Sequence, residues 1–412
     1  GGLGVGGYLD MSEEISDVAD ALEIPFSRNA RNITNLLNAI RESGDIALYA
    51  DLASPFETII QGLISGDSDL AATLLTALLK QSAGESVIGV TEAISLSTYK
   101  SQGVILGRLD KIHESATAVP PAAGYGDNSN RVWVGGFGSW AKQKSEDGID
   151  GYDYDSGGVS IGYDRMVDSV PGLRFGVAGS FSTGDLKSSN GAAKVDIDTF
   201  SFGLYGSYLA SNSVFFDATV SYGSSNNDSE VRLLNAAGVY GGVKKGSFDI
   251  DTFLAGARVG KIISFDNVNV TPSLGVRYLN FSQEGWRETI TGTGGLGLAN
   301  WFGKRSDSVV EIPLQVKING TFEAGSATVT PELRLGWTLM AKKPDNELTI
   351  GFVGSDLSTT VFGTKARTNS FQVGAGVKID VGDTVDIFAN YDLDVAKKYT
   401  DHVASLGVGF NF

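Results

Sequence analysis

Apolar and polar side chains alternate with a period of two through the C-terminal two-thirds of the chain. Between His402 and Phe412, Ala404, Leu406, Val408, Phe410 and Phe412 share one register, while Ser405, Gly407, Gly409 and Asn411 share the other. This is a strand with one oily face and one wet face. Val159, Ile161 and Tyr163 alternate likewise with Ser160, Gly162 and Asp164, and Leu173, Phe175 and Val177 with Arg174, Gly176 and Ala178. The same pattern runs through 310–319, 332–339 and 385–394. Such runs amount to about twelve strands of ~10 residues, the length a tilted membrane strand needs. No helical layer complements the oily faces, so they meet either lipid or a second sheet.

Connection lengths favour lipid. Ser211 to Ser213, Phe265 to Asn267, Glu323 to Gly325 and Gly382-Asp383 read as short turns, whereas Ser224 to Gly246, Arg287 to Ser306 and Pro344 to Lys365 read as long loops. Short turns on one side and long loops on the other suit an outer-membrane barrel. A soluble β-sandwich shares the alternation but has no reason to sort its loops. Lys261, on the oily register of Phe253, Ala255, Ala257 and Val259, lies near a strand end, where its ammonium reaches an interface.

Upstream of residue 118 the period changes. Helices are predicted over Met11 to Leu22, Asn32 to Arg41, Pro55 to Ile64 and Asp67 to Gln81. The longest candidate is Thr91 to Glu114; ~24 residues extend roughly 36 Å, slightly more than a ~30 Å hydrocarbon core. Pro120 and Pro121 end it, and Gly124 to Asn130 reads as a polar linker.

Composition narrows the options further. The chain has 412 residues, 54 of them glycine, and a formal charge of −16 from 32 basic and 48 acidic side chains. That field repels nucleic acid, whose binding rests on Lys and Arg contacts to phosphate. No stretch approaches the ~20 consecutive apolar residues of a membrane-spanning helix, so insertion would use closed β structure. The absence of Cys fits a chain that crosses an oxidising compartment unfolded. Gly1 to Tyr8 has no signal-peptide pattern; an exported protein of this kind is expected to be the C-terminal part of a longer precursor.

The wet registers carry Arg174, Arg277, Glu311, Glu332, Arg334, Asp386 and Asp392. A charge facing lipid costs ~2–4 kcal/mol at the midplane, so all seven are assigned to the interior. They either grip a segment held there or pair with one another across strands. Glycines recur beside aromatic residues, as in Gly136-Phe137-Gly138 and Gly162-Tyr163, where a missing Cβ lets a neighbouring ring approach. Trp133, Trp140 and Trp337 suit interfacial girdles.

Several stretches together resemble the β-domain, or translocator, of classical autotransporters, the type V secretion proteins. They are Trp133 to Trp140, Gly157 to Asp164, Val270 to Tyr278, Val329 to Trp337 and Asp401 to Phe412. Leu78 to Glu85 resembles the leucine-rich, Ser-Gly-Glu-containing stretch that precedes the family's linker helix, with Ala83 inserted. The resemblance implies an all-β transmembrane barrel of about twelve antiparallel strands, with an α-helix threading the lumen and a helical segment before it. It divides the chain into a passenger-end segment (1–90), a linker helix and connection (91–129) and the barrel (130–412). Arg108, Leu109, Asp110, Lys111 and Ile112 would lie on the pore helix. Leu406, Val408, Phe410 and Phe412 would form the signal read by the barrel-assembly machinery.

The implied function is secretion of an N-terminal passenger and its anchoring at the cell surface, without ATP or any cofactor. The implied partners of this monomer are outer-membrane lipid, its own passenger, the assembly machinery and periplasmic chaperones. Some members cut themselves between paired asparagines in the helix; this helix contains none, so the product is uncleaved or otherwise processed. The alternative from another class is a passive outer-membrane channel or a surface adhesin barrel. An enzyme reading is weak. Ser65 to Leu70 only partly matches the Gly-Asp-Ser-Leu block of passenger esterases, and helix capping by Asp67 or Ser68 explains it more simply. The two histidines, His113 and His402, are placed in the pore helix and the last strand, away from Ser68, and the chain lacks paired metal ligands.

Overall fold

The computed structural model describes residues 10–118 and 130–412. The reading of Gly1 to Tyr8, the stop at Pro120 and Pro121, and the linker through residue 129 lie outside the described residues.

Twelve antiparallel strands form the barrel. They are β1 (Asn130–Gln143), β2 (Tyr152–Met166), β3 (Leu173–Ser188), β4 (Ala193–Leu209), β5 (Val214–Leu234), β6 (Tyr240–Lys261), β7 (Val268–Gln283), β8 (Arg305–Gly320), β9 (Ala327–Lys342), β10 (Asn369–Val381), β11 (Val385–Ala396) and β12 (Tyr399–Asn411). Each pairs with its sequence neighbour. β1 and β12 pair from Arg131 opposite Asn411 to Gln143 opposite Tyr399, which closes the sheet. Phe175, Phe202, Leu335, Phe371, Leu406 and Phe410 are exposed on the outer face. Side chains so apolar belong in lipid.

Connection lengths alternate less cleanly than the sequence suggests. The tight turns at 167–172, 210–213 and 382–384 lie on one side, but 189–192 and 397–398, on the other, are also tight. The supposed loop from Ser224 to Gly246 is mostly strand: β5 and β6 pair from Val214 opposite Lys261 to Leu234 opposite Tyr240. At ~3.3 Å per residue and a ~45° tilt, β5 rises roughly 50 Å, well past the hydrocarbon core. Beyond the membrane a strand needs no oily face, so the polar run Ser224 to Glu230 hides it from a periodicity test.

Helices α1 (Met11–Ala21), α2 (Arg28–Glu42), α3 (Ile46–Ile64), α4 (Ser68–Ser82) and α5 (Glu85–Ile88) cover the long-connection mouth, the extracellular one by the usual rule for such barrels. Asp10, Ser27, Asp45 and Asp67 cap the first four through side-chain oxygens. α3 begins before Pro55, which lies inside the helix. The buried face of Tyr49, Leu52, Phe56 and Ile59 continues across the proline and outweighs its missing hydrogen bond. Short strands at Trp286–Arg287, Asn300–Phe302, Glu347–Phe352 and Ser358–Phe362 form a second sheet beneath the helices. Cap and rim share one hydrophobic core, in which Ile33, Leu37, Phe56 and Leu78 meet Tyr154, Phe248, Ile250 and Phe302.

α6 (Val90–Ala118) then descends through the lumen. No helix among the described residues is long and apolar enough to cross a membrane.

Candidate functional site: the helix-filled lumen

α6 lies mainly against the wall formed by β1 to β5. Wall glycines make room for it: a Cβ on Gly135 would fall 2.6 Å from Val104, one on Gly256 2.5 Å from Gln102, and one on Gly409 2.8 Å from Arg108. Elsewhere glycines admit the wall's own rings, as Gly162 does for Trp133 and Gly176 for Tyr205. The helix leaves a gap of about 280 Å³ on its other side, lined by Gly103 and Gly107 and facing Arg277, Glu311, Arg334 and Asp392.

Polar contacts fix the helix along its length. At the mouth, Glu92 accepts from the Tyr152 hydroxyl at 2.6 Å and pairs with Arg367 at 3.3 Å. One turn or two lower, Ser97 bonds Tyr154 at 2.7 Å, and Lys100 donates to Asp401 at 2.7 Å. Gln102 donates to Thr219 at 2.7 Å. Arg108 donates through one nitrogen to both oxygens of Asp386 at 2.9 Å, and its Nε lies 3.9 Å from Asp164. Asp110 pairs with Arg258 at 2.7 Å and with Lys317 at 3.5 Å. His113 Nε2 lies 2.9 Å from Asp217 and stacks on Phe215 with centroids 4.4 Å apart. Charges so removed from bulk water persist because each faces an opposite partner.

Of the seven interior candidates, Asp386 bonds the helix directly. Arg174 reaches it through Asp164, to which it donates at 2.5 Å. Arg277 pairs with Glu311 at 2.5 Å and lies 4.3 Å over the Tyr99 ring of the helix. Arg334 joins Glu332 and Asp392 in a cluster across strands. Gripping and pairing therefore coexist around the lumen wall. On the helix, Leu109 is fully buried beside Val104 and Ile105 in a small apolar cluster with Trp133 and Tyr205. Lys111 and Ile112 belong to α6, but their side chains lie outside the described residues. Leu406, Phe410 and Phe412 point to lipid, with Val408 on the same face.

Trp133 departs from the sequence reading. It is buried in the lumen, where its indole donates to Tyr205 at 2.8 Å and Tyr205 donates on to Asp164 at 2.8 Å. Trp140 is an odd number of residues away along the same strand and so faces outward, as does Trp337. The helix partners Asp164, Asp217, Arg258, Lys317 and Asp401 were not singled out from sequence, though each sits on a wet register. Ser207 and Asp217 both approach the same nitrogen of His113, at 3.3 and 2.9 Å. A nucleophilic triad needs them on opposite nitrogens, so this cluster has a positioning geometry. His402 bonds Tyr391 on the outer face, and Ser68 opens α4 in the cap, far along the chain from either histidine.

A closed barrel with an apolar outer face and a helix bound in a charged lumen defines an outer-membrane protein of the translocator type. The chain belongs to the autotransporter β-domain family, whose model matches residues 132–392. It is 27% identical to outer membrane protein B of Rickettsia japonica, over 74% of this chain and 19% of that protein. It is 24% identical to outer membrane protein A of Rickettsia rickettsii, over 93% of this chain and 17% of that protein. The chain thus spans about a fifth of the length of these relatives. The translocator domain of the autotransporter NalP from Neisseria meningitidis superposes with a TM-score of 0.54 at 15% identity, covering 75% of this chain and 97% of that one. That likeness establishes the shared barrel fold.

Proposed function

We propose that this chain secretes a passenger attached upstream of Asp10 and then anchors it at the cell surface. The observation that carries the proposal is the course of α6. It leaves the extracellular cap, fills the lumen and reaches the opposite rim, so a continuous chain joins the cell surface to the periplasmic side. Such a lumen is too full for a general porin. Its ion pairs suit a static resting state after transport, and residues 10–90 then form the membrane-proximal end of the exported part. The outward register of Leu406, Val408, Phe410 and Phe412 presents a strand end to the barrel-assembly machinery, and periplasmic chaperones carry the unfolded chain to it.

A peptide tag placed upstream of Asp10 tests the proposal in intact cells. External protease is expected to remove the tag while the barrel persists. A tag that stays protected although the barrel is inserted and heat-modifiable would sink it.

A further inference from the structure

A cavity of about 520 Å³ lies between the cap and the rim of β1 to β6, within the ~300–1,000 Å³ range of small-molecule sites. Its shape follows from the two faces of α4. Leu74, Leu75, Leu78 and Leu79 turn into the shared core, whereas Ala72, Thr73, Thr76 and Ala77 line the cavity and are too short to fill it. Across the gap stand Leu186, Ala193, Val231 and Leu233. The last three form an apolar cluster separate from the main core. Two oily surfaces therefore face each other across the cavity.

One wall carries an unmet acceptor. Glu85 Oε1 accepts from Asn29 Nδ2 at 3.1 Å, but Oε2 is buried without a hydrogen-bond partner. The other charged groups lining the cavity are engaged. Lys80 pairs with Asp150 at 2.5 Å, and the second Asp150 oxygen accepts from Asn190 at 2.9 Å. Glu92 is held by Tyr152 and Arg367, and Arg232 donates to the Gly191 carbonyl at 2.6 Å. Lys80 thus offsets Asp150 and Arg367 offsets Glu92, which leaves Glu85 as the carboxylate without a cationic partner. An oily slot with a buried carboxylate oxygen that lacks a donor selects a donor over an acceptor, and a cationic donor most of all.

We propose that this cavity binds a small amphiphilic amine at the cell surface, its hydrocarbon body between α4 and Leu233 and its ammonium donating to Glu85 Oε2. Burial pushes the Glu85 carboxyl up to about 7, so an ammonium head also offsets the cost of ionising it.

The matched probes 1-aminoadamantane and adamantane-1-carboxylate share a body and differ in head charge. Calorimetric titration of the full chain in nanodiscs, with empty nanodiscs subtracted, is expected to give saturable binding of the amine, ~10-fold or more tighter than the carboxylate. Ala77→Trp fills the slot and is expected to abolish binding, as is Thr76→Phe if the first variant does not fold. Glu85→Gln is expected to erase the preference for the amine while leaving the body's slot intact. No saturable binding of the amine, as when another part of the chain occupies the slot, overturns the proposal. So does binding that survives in a folded filled variant, or a preference that survives Glu85→Gln.

Discussion

Arg108 reaches from the lumen helix to both carboxylate oxygens of Asp386 at 2.9 Å, with both side chains almost fully buried. A Cβ on Gly409 would stand 2.8 Å from the guanidinium and equally close to the carboxylate, so the last strand must carry glycine there for the pair to form. Three separated segments, at 108, 386 and 409, thus build one lock.

Breaking that lock is expected to loosen the plug. Removing one partner of a buried pair costs ~3–5 kcal/mol, and lumen water reduces that figure. In planar bilayers, Arg108→Ala and Asp386→Asn should each show more frequent openings than the parent, and a chain lacking residues 10–118 should conduct most. Equal conductance in all four would exclude a plugging role for α6.

The cap should respond to pH. Glu85 is buried against Asn29, with Lys80 and Asp150 nearby, and desolvation chiefly raises its carboxyl from 4.5 to about 7. For an acid raised on folding, the associated stability is complete below the unfolded value near 4.5 and is lost as pH rises through about 7. Limited proteolysis of residues 10–90 should therefore be slower at pH 5 than at pH 8, after correction for the protease's own pH profile. Glu85→Gln should flatten the difference; a difference unchanged in that variant would assign it to other groups.

Phe412 is exposed on the lipid side, and its backbone closes the seam by exchanging hydrogen bonds with Asn130 at 3.1 and 3.3 Å. Those backbone bonds survive Phe412→Ala. The variant should fold into liposomes in vitro at the parent's rate yet accumulate several-fold less in the outer membrane of cells. A parallel loss in liposomes would indicate a packing defect instead of a lost signal.

Tryptophan orientation gives a direct check of register. In single-tryptophan variants, lipids brominated near the headgroup should quench Trp140 and Trp337 but leave Trp133 bright. Strong quenching of Trp133 would mean that β1 is shifted by one residue.

What could be read from sequence follows the solvent each residue meets. Inside the membrane, one face sees lipid and the other water, so Leu333, Leu335 and Trp337 alternate cleanly with Glu332, Arg334 and Gly336. Outside it the contrast vanishes, and the upper halves of β5 and β6 pass for loop. The helix-gripping residues were legible only as wet positions. That Asp164 and Asp217 meet the helix while Arg334 meets Asp392 depends on the helix leaning toward β1 to β5, which no local pattern encodes. Cap docking was equally hidden. Lys244, which donates to the Gln81 carbonyl at 2.6 Å and to Asn300 at 3.1 Å, looks in sequence like a surface lysine of a polar turn.

The core that joins cap and rim also decides where the chain can be parted without damage. A cut between Met11 and Ile88 would leave helices pinned by Ile33, Phe56 and Leu78, and the fragments would stay together as a nicked unit. A cut before Asp10 would shed upstream material and leave the mouth roofed. The helices that remain would stay docked on the rim, held by the same core as before.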